Sequence, residues 1–181
     1  AGGFLGGLSV AENDALPAIA LPEVLTLGGR ATIVRSPVLE SVSVPQAEYI
    51  GGAFVVRCNP LLETLETTNV LTIGMQIFVW DNPELLSVEM PFLVDASQDA
   101  DDWSTVGICG NDSLQFVILS SLVEAPLPIR IGISESSFCK VNQSLTAIDL
   151  SSLTSTRTLR IHGNPLVEAI NLSSLEFAGL L

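Results

Sequence analysis

The chain has 181 residues, the length of one ordinary domain, and carries 20 acidic against 7 basic side chains for a formal net charge of −13. It is 48% apolar but only 6% aromatic, so aliphatic side chains supply the core and a disordered chain is excluded. The charge balance argues against nucleic acid and anionic lipid as partners, and every apolar run of about 18 residues is broken by charge or proline, which argues against a membrane span.

Read from the N-terminus, one pattern recurs. A polar turn residue stands at Asn13, Ser36, Asn59, Asn82, Asn111, Asn142 and Asn164, at spacings of 23, 23, 23, 29, 31 and 22. Three residues after each comes an apolar one, from Leu16, Leu39 and Leu62 to Leu145 and Val167. Four more apolar columns follow, opened in the first copy by Ile19, Leu21, Val24 and Leu27. Within a copy the apolar residues alternate at spacing two, as in Ile19/Leu21 and Phe54/Val56, which is the period of a strand. Prolines at 17, 22, 37, 45, 60, 83 and 91 leave no room for helices between them.

The reading is all-β: one domain over 1–181, a parallel β-solenoid of about seven coils of roughly 23 residues, stacked at about 4.8 Å. Two coils carry insertions, an acidic one at 95–102 and a second at 134–140. Glycine pairs such as Gly28-Gly29 and Gly51-Gly52 are expected to supply positive-φ corners. The asparagine column reads as corner chemistry, with side-chain amides satisfying backbone groups and bonding along the stack.

The segments Leu159-Arg160-Ile161-His162-Gly163-Asn164-Pro165 and Ile148-Asp149-Leu150-Ser151-Ser152-Leu153 resemble the receptor L-domain repeats of growth-factor-receptor ectodomains, and similar repeats of fungal cell-wall and other secreted surface proteins. The resemblance spans nearly the whole chain. It implies a right-handed parallel β-helix that binds ligands or builds surfaces without catalysis. The cysteine-rich neighbours and capping helix of the better-known receptor domains are missing from the sequence, so the resemblance carries no ligand identity.

Few residues offer chemistry. His162 is the single histidine, no serine sits in a nucleophile-elbow context, and no phosphate loop occurs, so no enzyme is expected. The acidic 95–102 segment offers oxygen ligands for Ca2+ without the ordered spacing of a calcium loop, and the reading is no cofactor. Of three cysteines, Cys58 and Cys109 lie two coils apart, near 10 Å by strand spacing of about 4.8 Å, too far for a bridge. A Cys109–Cys139 disulfide with a free Cys58 is therefore expected. Sequons at Asn111, Asn142 and Asn171 point, with the cysteines, to a glycosylated protein outside the cell or on its surface.

In the strand before each turn, alternate residues should face outward. This places Val34, Val55, Arg57, Phe78 and Trp80 side by side as a partner-binding patch of aliphatic, aromatic and arginine character, ahead of Gly107 and Cys109. The expected role is recognition or adhesion with a protein or glycan partner. The alternative is a structural subunit: Leu5-Gly6-Gly7-Leu8 and Ala178-Gly179-Leu180-Leu181 occupy one phase of the repeat, which suits either a piece of a longer protein or copies stacked end to end as a filament or coat.

Overall fold

The computed structural model describes residues 3–96, 106–126, 128–132 and 140–178. Both expected insertions fall largely in 97–105 and 133–139, outside the described residues. The described residues form strands and turns and no helix. Their strands make sheets of eight, seven, four and three strands, and every pairing is parallel. Neighbours within the two larger sheets are three strands apart in the chain, the winding of a parallel β-solenoid. The three- and four-stranded sheets continue one another, with Leu86 N donating to Glu63 O at the break.

The core follows the sequence columns. Leu39, Leu62, Leu85, Leu114 and Leu145 are fully buried one above another. Val44, Met90, Leu119 and Leu150 form a second buried row, interrupted by Thr67, whose hydroxyl donates to Glu89 O. Leu16 and Val167, in the outermost described coils, are only half-buried because each has a neighbour on one side.

The asparagine column holds the corner together. Asn59, Asn82, Asn111 and Asn142 are fully buried. Each Oδ1 accepts the backbone N–H of the residue one coil earlier: Ser36 to Asn59 at 3.1 Å, Asn59 to Asn82 at 3.2 Å, Asn82 to Asn111 at 3.0 Å and Asn111 to Asn142 at 3.1 Å. Each Nδ2 donates back to a strand carbonyl, those of Ile33, Val56, Val79 and Ile108 in turn. Amide-to-amide bonds run along the stack as far as Asn164. Buried backbone groups that no ladder reaches are satisfied in this way. Ser36 interrupts the series, and its Oγ is buried without a partner.

The corners correct the sequence reading. None of the Gly28-Gly29 and Gly51-Gly52 glycines has a positive φ. They are required by close approach: a Cβ on Gly51 would stand 2.3 Å from Gly28 O, and one on Gly74 2.4 Å from Gly51 O. Among the described residues, positive φ is found instead just before the turn column, at Glu12, Arg35, Cys58, Asp81, Gly110 and Gly163, and at Gly132, which ends Ile129–Gly132. Four of these are not glycine, each at a cost on the order of 1–2 kcal/mol. Their N–H groups stay paired along the stack, as in Cys58 N to Trp80 O and Asp81 N to Cys109 O.

Candidate interaction face

The outer face of the seven-stranded sheet is built by strict alternation. In Phe54–Arg57 and Ile77–Trp80 the first and third residues enter the core, and the second and fourth are half-buried on the outside. The register sets Thr32, Val55, Phe78, Gly107, Arg130 and Arg160 in one rank. Val34, Arg57, Trp80 and Cys109 form the second.

The structure thus brings the five expected patch residues together but corrects their exposure. Val34 is buried, at 9% relative exposure, in register between Ala11 and Arg57. Val55, Arg57, Phe78 and Trp80 are half-buried. The aromatic pair is tightly placed, with ring centroids 4.9 Å apart at 40°. Trp80 Nε1 donates to Gly107 O at 3.1 Å. A Cβ on Gly107 would stand 3.0 Å from the Phe78 ring and 3.1 Å from Trp80 Nε1, so the missing side chain is the seat of the aromatics. Asn82 Nδ2 donates to Trp80 O at 2.9 Å, tying the buried amide column to the strand that presents the rings.

Sequence reasoning stopped this face at Gly107 and Cys109 and missed Arg130 and Arg160, which the same column arithmetic would have reached. It also missed Leu71, Val94 and Val123, exposed residues that occupy the same place in successive coils.

Two sequons need correction as well. Asn111 and Asn142 are fully buried with Nδ2 committed to carbonyl and amide oxygens, so a glycan there is incompatible with the packed corner. Asn171 is exposed, its Oδ1 accepting only from Ser173 N at 3.3 Å.

Cys109 is disulfide-bonded and Cys58 is free and exposed. Cys139, the expected partner of Cys109, lies outside the described residues. The calcium alternative rests on a segment almost wholly outside them too; among the described residues no three His, Cys, Asp or Glu side chains group to hold a metal. No helix among the described residues is long and apolar enough to cross a membrane. No family model, curated protein or solved structure matches the chain.

Proposed function

We propose that the chain is a right-handed parallel β-helix of about seven coils, of the receptor L-domain kind, working as a non-catalytic recognition or adhesion module outside the cell or on its surface. Its partner lies on the outer face of the seven-stranded sheet. The observation that carries this reading is the Phe78–Trp80 pair, pinned across Gly107 and flanked in register by Arg57. Aromatic and arginine side chains held in place by their own framework are the usual anchors of a binding surface.

The test is a binding survey of the labelled protein on arrayed extracellular glycans and proteins, repeated with Trp80→Ala. Loss of the captured partner with an unchanged unfolding midpoint supports the face. Equal capture by both proteins removes it.

A further inference from the structure

We infer that the outer face of the eight-stranded sheet docks a basic amphipathic helix of another protein; this is a second surface, separate from the Phe78–Trp80 face. One observation is where charge falls within the coil. The fifteen residues that begin at each turn residue run from Asn13 to Leu27 in the first coil and from Asn164 to Ala178 in the last. Over the seven coils they hold 14 of the chain's 20 acids, none of its seven Lys and Arg residues and not His162. Every one of these residues is described. Apart from Gly3–Leu5, they carry all the strands of the three-, four- and eight-stranded sheets.

The other observation is an exposed apolar ladder on that acidic arc. Leu71, Val94 and Val123 each stand one residue before a strand of the eight-stranded sheet, namely Thr72–Ile73, Asp95–Ala96 and Glu124–Ala125. Those strands are neighbours, so the three side chains lie on consecutive rungs about 4.8 Å apart. Their exposures of 41%, 47% and 41% leave aliphatic surface in water, and Phe92, two residues before Val94, is 54% exposed. The same position holds Glu48 one rung before Leu71 and Glu176 two rungs after Val123, with Leu71 N donating to Glu48 O and Glu176 N to Thr154 O. Glu124 follows Val123 directly, and all three glutamates are exposed. The cations that follow strands of this sheet, Arg30 and Arg157, come after the buried Leu27 and Thr156, on the way to the seven-stranded sheet.

The spacing selects the form of the partner. Three rungs span about 10 Å. A helix laid along the stack advances about 5.4 Å per turn, so apolar residues three and four apart meet successive rungs with about 1 Å of drift over the ladder. A strand in that direction presents same-side residues about 6.7 Å apart and falls out of step by about 4 Å. The six rungs from Glu48 to Glu176 cover about 24 Å, the length of a helix of about 16 residues. A basic flank on that helix meets Glu48, Glu124 and Glu176, which the arc supplies no cation to offset. A second copy presenting the same face would set acid against acid.

The test is fluorescence anisotropy of the intact protein with three labelled model peptides of about 16 residues. One carries Leu and Lys at helical spacing, one Leu and Lys in strict alternation, and one Leu and Glu at helical spacing. The expectation is salt-sensitive binding of the first, weaker binding of the second and none of the third. Val94→Lys, at an exposed position that leaves the unfolding midpoint in place, should weaken the first peptide at least about tenfold. Glu48→Gln and Glu124→Gln should each weaken it about twofold to fivefold, as loss of an exposed ion pair does. Glu40→Gln, an exposed acid of the arc outside this sheet, should leave it unchanged. Absence of binding of the first peptide at low salt overturns the inference, as does binding indifferent to Val94→Lys or weakened as much by Glu40→Gln. Equal binding of the alternating peptide overturns the helix. Self-association of the free protein that Val94→Lys abolishes gives the face to a second copy and overturns the inference as well.

Discussion

The most exacting perturbation of the fold is Asn82→Ala. The Asn82 amide donates to Val56 O at 3.1 Å, to Trp80 O at 2.9 Å and to Asn111 Oδ1 at 3.3 Å, and accepts from Asn59 N at 3.2 Å. It is fully buried, so no water replaces it. Alanine leaves the Asn59 N–H buried and unpaired, at a cost of about 1–3 kcal/mol. The mirror experiment is Ser36→Asn, at the column position where the Oγ is buried and idle. An amide there reaches the setting its neighbours have and should add about 0.5–1.5 kcal/mol. Urea unfolding at constant slope measures both. A loss below about 1 kcal/mol for Asn82→Ala, or a destabilised Ser36→Asn, would refute the claim that the amide column holds the corner.

Further outcomes follow from particular contacts. Leu85→Ala should cost about 2–5 kcal/mol, whereas Leu16→Ala, half-buried in an outermost described coil, should cost less than half as much in the same unfolding assay. Gly107→Ala should break the Trp80 Nε1 bond and lift the aromatics, seen as a shifted tryptophan emission and lost partner binding. Expressed in a glycosylating secretory host, the chain should carry a glycan at Asn171 and none at Asn111 or Asn142, read by peptide mass mapping. Native, unreduced protein should give one reactive thiol per chain, at Cys58, by colorimetric titration.

The fold was legible because its two periods are simple. Alternation marked the strands, and the recurring turn residue marked each coil, so the five buried columns could be read before any coordinates. Corner chemistry was legible only in part. The asparagines were recognisable by type and spacing, but the positive-φ residues were not, since Glu12, Arg35, Cys58 and Asp81 carry no local signature of that conformation. The sequons misled because a three-residue motif says nothing of burial, and two of the three asparagines belong to the column itself.

The site was less legible than the fold. Trp80 was placed outward correctly, yet its half-burial depends on the empty position at Gly107, one strand away in space and 27 residues away in sequence. Net charge averages over faces, and only the register shows that Arg57, Arg130 and Arg160 lie on one sheet.

The measurement closest to the central claim is a set of spin-label distances along the outer face, in a Cys58→Ser background. Thr32 and Arg160 share one rank through the successive partners Val55, Phe78, Gly107 and Arg130, which is five strand steps, or about 24 Å between backbones at about 4.8 Å each. Val55 and Arg130 are three steps apart, about 14 Å. Label pairs at these positions should give narrow distributions whose centres differ by about 10 Å, in proportion to the number of steps. Distances that do not grow with the step count would contradict the in-register stack, and with it the shared face of Arg57, Phe78, Trp80, Arg130 and Arg160.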